Sequence, residues 1–251
     1  MPYYFEKEGG DVFSKDVQLI YLDQRGCGRS DSSQTGNYSL ERVVKDFDEV
    51  RQQLGYKQWM LMAHSFGGIL ATEYAYEYQP TIKAMVYLNC TINIPYTAES
   101  GIKKGLEFLG NDKKDQQYFL NDSIPVLKRW GDIFGKLNEK RIVYKLMFDK
   151  PENKSLDDSL MSLPFLKYVY AQKVWNYPEY FADFSPKTAE LKIPVLVISG
   201  TRDYTIGIDH PKIMQFPNMQ VRYVEGGHAL YLEHNKELYN AVSPFLKKHA
   251  K

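Results

Sequence analysis

A short apolar run that breaks into small residues around one serine constrains the fold of this chain more than any other feature. Residues 59–68 are Trp-Met-Leu-Met-Ala-His-Ser-Phe-Gly-Gly, and residues 69–78 form a helix-compatible segment before Pro80. A buried strand, a sharp turn with a serine at its tip and a helix together form a nucleophile elbow. Ala63 and Gly67 supply the small residues that such a turn requires on either side of Ser65. A serine before two glycines is also common in loops, so this stretch alone favours catalysis and a plain loop about equally.

Further apolar runs alternate with helical patterns, which predicts a sheet. Buried strands are expected at residues 17–22, 59–63, 84–89, 194–200 and 221–224. Ser39 can cap a helix whose apolar residues recur in steps of three and four until Gly55, and a closing helix is expected over residues 235–248. This alternation predicts an α/β fold: a mostly parallel sheet with crossover helices.

The middle of the chain differs from its two ends. Residues 93–188 are rich in Lys, Asp, Asn, Tyr and Phe, and show helical patterns over residues 124–137 and 159–174. We therefore expect a helical cap insertion, between a first part of the core at residues 1–92 and a second part at residues 189–251. The aromatic residues of the insertion either line a pocket or pack its own core, and packing is the commoner role for any one of them.

The composition excludes several classes of protein. A formal net charge of +1 gives no reason to expect nucleic acid or an anionic membrane as a partner. No apolar run reaches the roughly 18 residues that a membrane helix needs, and residues 1–7 lack the pattern of a signal peptide. Cys27 and Cys90 are too few for a disulfide scaffold or a cysteine-ligated zinc site. We expect a cytoplasmic protein with reduced thiols and without a metal.

A loop punctuated by glycines follows the first predicted strand. Residues 23–30 are Asp-Gln-Arg-Gly-Cys-Gly-Arg-Ser. Their spacing differs from that of a dinucleotide-binding loop, and no helix is expected to begin at Gly28. The interpretation is structural instead: Asp23 and Arg25 lock the loop by internal hydrogen bonds beside a functional pocket.

A serine hydroxyl is a weak nucleophile that needs a base, and the base needs a carboxylate to orient it. Of the five histidines, His228 follows the carboxyl end of a predicted strand, where active sites gather in parallel sheets. His64 is adjacent to Ser65, and neighbouring side chains on a turn point apart. His210 lies in a loop that follows no strand, His234 at the start of the closing helix, and His249 in the frayed tail of the chain. Since Asp203 directly follows the preceding strand, Ser65, Asp203 and His228 form the predicted triad, in the chain order expected for a hydrolase of this architecture.

With these residues assembled, the chain resembles the α/β-hydrolase family, and within it the proline iminopeptidase-like branch. Residues 23–30 are similar to that branch's Asp-Gln-Arg-Gly-x-Gly-x-Ser signature, and residues 63–68, 200–203 and 227–228 to its elbow, acid loop and histidine loop. The resemblance implies a serine hydrolase that releases an N-terminal residue from a small peptide or amide, with no cofactor. The alternatives are a carboxylesterase on the same triad and a catalytically weak binding member of the fold. Related epoxide hydrolases carry Asp at the nucleophile position, which Ser65 argues against.

The resemblance also implies two further site residues and a gap. The backbone N–H of Phe66 would donate to the oxyanion, and Glu179 is a candidate to bind the free amine of the substrate. The family has about three strands before its Asp-Gln-Arg-Gly loop, and the third ends in a His-Gly-Gly-x-Gly turn that supplies a second oxyanion donor. We therefore expect a shortened chain, in which either a strand is missing between residues 17–22 and 59–63 or these two strands pair directly. We expect a chain with that gap to be poorly soluble or a weak catalyst.

Overall fold

The computed structural model describes residue 6 and residues 9–250, which form a sheet with helices on both faces. The strands of the sheet are β1 (Trp59–Ser65), β2 (Ile82–Cys90), β3 (Val195–Gly200) and β4 (Met219–Val224). The α-helices are α1 (Leu40–Gln53), α2 (Gly67–Tyr78), α3 (Ile94–Leu109), α4 (Lys113–Phe119), α5 (Val126–Glu139), α6 (Pro151–Met161), α7 (Val169–Lys173), α8 (Ser185–Glu190), α9 (Leu230–Glu233) and α10 (Asn235–His249). Short 3-10 helices span Gly10–Lys15, Gln79–Thr81, Val143–Leu146, Val174–Asn176, Pro178–Phe181 and His210–Ile213. A two-residue ribbon pairs Cys27–Gly28 with Lys167–Tyr168.

The four strands are parallel and lie in the order β1-β2-β3-β4. In the middle of the sheet Val86 pairs with Met62 on one side and with Leu196 on the other. Each connection between consecutive strands contains helix, because parallel strands need a crossover rather than a tight hairpin. The predicted α/β fold is confirmed.

Two apolar clusters cover the two faces of the sheet. One contains Tyr87 of β2 with Val43 of α1 and Ile69 of α2. The other contains Val86 of β2 with Phe245 of α10. Val86 and Tyr87 belong to opposite clusters because successive side chains of a strand point to opposite faces. Because helices cover both faces of the sheet, functional side chains can lie only beyond the ends of its strands.

The strand predicted at residues 17–22 is not formed. In the described part of the chain this segment has no strand pairing, neither with β1 nor with another strand, and β1 lies at the edge of the sheet. Val17 and Leu19 nevertheless pack against the same apolar cluster as Met60 and Met62 of β1. The apolar pattern therefore predicted contact with the core correctly. A strand also needs an adjacent strand to hydrogen-bond with its backbone N–H and C=O groups, and residues 17–22 have no adjacent strand among the described residues.

The proposed cap, residues 93–188, is largely helical, and the pattern over residues 124–137 corresponds to α5. The helix predicted over residues 159–174 is wrong, since α6 ends at Met161 and the chain then enters the ribbon. Pro164 explains the break, because proline has no backbone N–H and disfavours helical geometry in the residue before it. The division into core and cap at these boundaries stays a proposal.

Two further expectations concern membranes and export. None of the helices in the described residues is long and apolar enough to cross a membrane. The amino-terminal segment, on which the expectation about a signal peptide depends, lies outside the described residues apart from Glu6.

Candidate active site

β1, α2 and the turn between them form the strand-turn-helix unit that the sequence predicts. Ser65 ends β1 with a φ angle of 56°, and α2 begins two residues later at Gly67. That left-handed geometry is unfavourable for serine, so the surrounding contacts must hold it. A Cβ at Gly68 would lie 2.5 Å from the carbonyl oxygen of Thr91, so this position requires glycine. The N–H of Thr91 also donates to the carbonyl of Ser65 at 3.1 Å, and the end of β2 thereby fixes the turn.

Phe66 occupies the N-cap position of α2. Its backbone N–H therefore lies at the positive end of the helix dipole, directly after Ser65 in the chain. The ring of Phe66 packs against two cap tyrosines, with its centroid 5.7 Å from that of Tyr180 and 6.2 Å from that of Tyr170. The cap thus contacts the residue that carries the predicted oxyanion donor.

Asp203 and His228 meet beyond the carboxyl ends of β3 and β4. Nδ1–H of His228 donates to Oδ2 of Asp203 at 3.0 Å, and the two residues are only 4% and 1% exposed. Oδ1 of Asp203 accepts from the backbone N–H groups of Thr205 and Ile206, each at 3.1 Å. The carboxylate is therefore fixed on both oxygens, and Nε2 remains as the basic nitrogen of the His228 ring.

The backbone of His228 is held by three other parts of the molecule. Its N–H donates to the carbonyl of Met147 in the cap at 2.7 Å. Its carbonyl oxygen accepts from Nδ2 of Asn89 at 2.9 Å and from Nε2 of His64 at 3.0 Å. Burial holds the pKa of His64 well below its ordinary value of 6.5, and the neighbouring His228 lowers it further. Sequence reasoning missed Asn89 and His64 as supporting residues; the one signal for Asn89 is a polar side chain near the end of a buried strand.

Ser65 lies at the same edge of the sheet as the Asp203–His228 pair without a bond to it. The ring of His64, which precedes Ser65, has its centroid 4.5 Å from that of His228. Within the described residues, no hydrogen bond joins the half-buried hydroxyl of Ser65 to His228. The structure thus joins two members of the predicted triad and places the serine at the same edge of the sheet. Bonds of this kind commonly tighten only when a substrate is bound.

Comparison with known proteins decides the family. Residues 2–235 match the family model described as alpha/beta hydrolase fold. The chain belongs to the α/β-hydrolase fold family. A proline iminopeptidase from Saccharolobus solfataricus is 32% identical over 91 residues, which are 36% of this chain and 29% of that protein. A proline iminopeptidase from Lactobacillus delbrueckii subsp. bulgaricus is 25% identical over 258 residues, which cover 97% of this chain and 84% of that protein.

A solved structure shows the same fold. The proline iminopeptidase-related protein from Thermus thermophilus superimposes with a TM-score of 0.78 at 19% identity, covering 99% of this chain and 87% of that one. The predicted resemblance to the proline iminopeptidase-like branch of the α/β-hydrolases is confirmed. Against the Saccharolobus relative, the chain spans less than a third of that protein's length.

In this α/β-hydrolase, Glu179 contacts the start of a core helix. Its Oε1 accepts from the backbone N–H of Leu40, the first residue of α1, at 3.3 Å. A carboxylate suits this position because the N-terminus of a helix carries partial positive charge. The contact gives Glu179 a structural role that the sequence did not reveal, and its binding of a substrate amine stays a prediction.

The loop of residues 23–30 is held partly as predicted. Oδ2 of Asp23 accepts from the backbone N–H of Arg29 at 3.1 Å and from its Nε at 2.9 Å, within the loop. Arg25 instead reaches out of the loop, and its Nε donates to Asp46 of α1 at 2.5 Å. Asp23 therefore locks the loop, whereas Arg25 attaches it to α1, which corrects the prediction for Arg25.

Two of the remaining histidines have structural partners. His210 is 1% exposed, its Nε2 accepts from the backbone N–H of Ile92 at 2.9 Å, and burial lowers its pKa to about 4. His234 lies 2.8 Å through its Nε2 from Oδ2 of Asp149, whose carboxylate also pairs with Arg202. Neither ring shares the hydrogen bonds that join Asp203 to His228.

The cysteines and possible metal ligands add no second centre in the part of the chain that the structure describes. Cys27 and Cys90 are buried and free, and burial raises the pKa of Cys27 to about 11 and that of Cys90 well above its ordinary value. Thiols of this kind are poor nucleophiles at neutral pH. No group of three or more His, Cys, Asp or Glu side chains among those residues is arranged to hold a metal ion.

Proposed function

We propose that this α/β-hydrolase is a serine hydrolase, with Ser65 as nucleophile, His228 as general base and Asp203 as the carboxylate that orients the base. The observation that carries the proposal is the buried hydrogen bond from His228 Nδ1–H to Asp203, 3.0 Å long, at the edge of the sheet where the elbow presents Ser65. A buried carboxylate bonded to one nitrogen of an imidazole holds the tautomer that leaves the other nitrogen free to accept a proton.

The reaction proceeds by acyl transfer. The hydroxyl of Ser65 attacks the substrate carbonyl while Nε2 of His228 takes its proton, and Asp203 stabilises the imidazolium that forms. The N–H of Phe66, at the positive end of α2, donates to the oxyanion. His228 then returns the proton to the leaving amine, and water repeats the sequence to release the acyl group from Ser65.

For the substrate, we propose a small peptide or amide with a free N-terminus, cleaved after its first residue as in a proline iminopeptidase. The similarity to proteins of that name supports this. A free amine is bound by a carboxylate, and the cap offers Glu179 and also Asp157 on α6, both half-buried. Partial burial raises the pKa of Asp157, while the charges of Lys154 and His228 act in the opposite direction. We place the reaction in the cytoplasm, where the buried free thiols stay reduced.

A fluorophosphonate probe tests the chemistry, because only an activated serine reacts with it. The wild-type protein should label and Ser65→Ala should not, while Ser162→Ala, which changes an exposed serine of the cap, should label like the wild type. Labelling that survives in Ser65→Ala would refute the assignment. Rates on a prolyl anilide, its N-acetyl form and a short-chain ester then test the substrate, and a large preference for the ester would favour a carboxylesterase.

A further inference from the structure

Asn89 has an unusual backbone geometry at a buried position. It lies one residue before the end of β2, its side chain and backbone are 4% exposed, and its φ angle is 45°. The left-handed region is open to asparagine, aspartate and glycine at lower cost than to other residues. Geometry alone would therefore accept any of the three at this position.

The side chain of Asn89 joins two segments of the site. Its Nδ2 donates to the carbonyl oxygens of Gly227 and His228, at 3.0 and 2.9 Å, and its Oδ1 accepts from the N–H of Gly200 at 2.7 Å. Gly200 ends β3, three residues before Asp203. Both donor hydrogens and the acceptor of the amide are used, which neither aspartate nor glycine can reproduce.

The segments that Asn89 joins lie in very close contact. A Cβ at Gly200 would be 2.4 Å from the carbonyl oxygen of Gly227, and a Cβ at Gly227 would be 2.4 Å from that of Met147. The histidine loop therefore lies between the end of β3 and the cap with little free space. Its carbonyl groups, buried there, depend on Asn89 and His64 for hydrogen bonds.

We propose that Asn89 is a positioning residue, which sets the His228 imidazole against Asp203 by holding the carbonyl groups of residues 227 and 228; the inference rests on the proposed function. Without its amide, two buried carbonyl oxygens lose a donor and the N–H of Gly200 loses its acceptor. The backbone of the loop then shifts to find other partners, and the ring of His228 shifts with it. Displacement of a catalytic group by about 1 Å costs on the order of a hundredfold in rate.

Asn89→Gly separates this role from a purely conformational one, because glycine accepts the φ angle but makes no side-chain hydrogen bond. We expect kcat and the rate of fluorophosphonate labelling to fall about 10- to 100-fold, with KM within about twofold of the wild type. The matched control is Asn111→Gly, the same change at an exposed asparagine with a φ angle of 56°, which should leave both rates unchanged. An Asn89→Gly protein as active as the wild type would overturn the proposal.

A second measurement is independent of activity. The Nδ1 proton of His228, bonded to Asp203, should give a downfield proton resonance that shifts or broadens in Asn89→Gly and not in Asn111→Gly. An unchanged resonance in Asn89→Gly would contradict the positioning role, whether or not the wild type labels. Failure of the wild type to label would count against the proposed function alone. If Asn89→Gly does not fold, Asn89→Asp serves, since it keeps an acceptor for Gly200 and loses only the two donations. Wild-type kcat in Asn89→Asp would likewise refute the positioning role.

Discussion

Two sides of the sheet, its interior strands β2 and β3 and its edge strand β1, support the site very differently. On one side β2 and β3 each have a strand on both flanks, and almost all of their residues are buried. On the other side β1 is the edge strand within the described residues, and six of its seven residues are only half-buried. Ser65 ends the edge strand β1, whereas Asp203 follows the interior strand β3. His228 follows β4, the other edge strand, but hydrogen bonds join it to Asp203 and to Asn89 of the interior strand β2. The difference shows that similar apolar sequences become core or edge according to their neighbours.

The two sides also hold their functional groups by different means. Asp203 and His228 are fixed by hydrogen bonds from several elements, including Asn89 of β2 and the cap. Ser65 is fixed through its backbone, by the close fit of Gly68 against Thr91 and by the hydrogen bond from the N–H of Thr91 to the carbonyl of Ser65. The predictions below test how far this difference matters, from the largest expected effect to the smallest.

The largest expected loss of activity comes from substitutions in the predicted triad, which has members on both sides of this comparison. Ser65→Ala and His228→Ala should each lower kcat by about a thousandfold or more, because the members of a triad act as a unit. For the same reason the double variant should be no slower than either single one. Steady-state kinetics on one substrate measure all three proteins. If the two losses multiplied in the double variant, the serine and the histidine would not belong to one reaction step.

A matched pair of leucines compares the two sides by stability. Leu196→Ala, at a fully buried position of β3, should lower the free energy of unfolding by about 2–5 kcal/mol. Leu61→Ala makes the same change at a half-buried position of β1 and should cost clearly less, about 1 kcal/mol. Urea denaturation gives both values. Equal losses would mean that β1 is as well covered in solution as β3, and would remove the contrast between the two sides.

Acid should weaken the densely supported side through His210. Its pKa is about 4 in the folded protein against 6.5 ordinarily, so folding favours the neutral ring. This contribution to stability is complete above pH 6.5 and is lost as the pH falls from 6.5 to about 4, up to about 3 kcal/mol. His210→Gln removes the titration and keeps an acceptor for the N–H of Ile92, so its melting temperature should fall less over that range. The same pH dependence in both proteins would contradict this account.

The smallest effect is expected at His234. This ring pairs with Asp149, but Arg202 holds the same carboxylate through two further hydrogen bonds. His234→Ala should therefore cost less than about 1 kcal/mol of stability and leave kcat within about twofold. Thermal melting and steady-state rates check this. A tenfold loss of kcat would show that His234, through Asp149, helps to place the loop that carries Asp203.

The sequence predicted those features that depend on local pattern. The elbow around Ser65 and the positions of Asp203 and His228 follow from small residues and polar residues that end apolar runs. The structure of residues 17–22 was not predictable in this way, because pairing depends on a distant neighbour. Asn89 and His64 were missed for a related reason: their partners are backbone carbonyl groups more than a hundred residues away, which leave no mark on local composition.

The short ribbon between residues 27–28 and 167–168 has a consequence for how a substrate enters. Together with the bond from the N–H of Tyr170 to the carbonyl of Gly26, it joins the far end of the cap to the core. The cap is joined again at Met147, through the N–H of His228. A cap held at both places cannot swing away as one rigid lid. All eleven residues of α6, which lies between the two attachments, are described and none is buried. We therefore expect the cap to open by a local movement of α6 and its flanking loops, which would then limit the size of a substrate that enters.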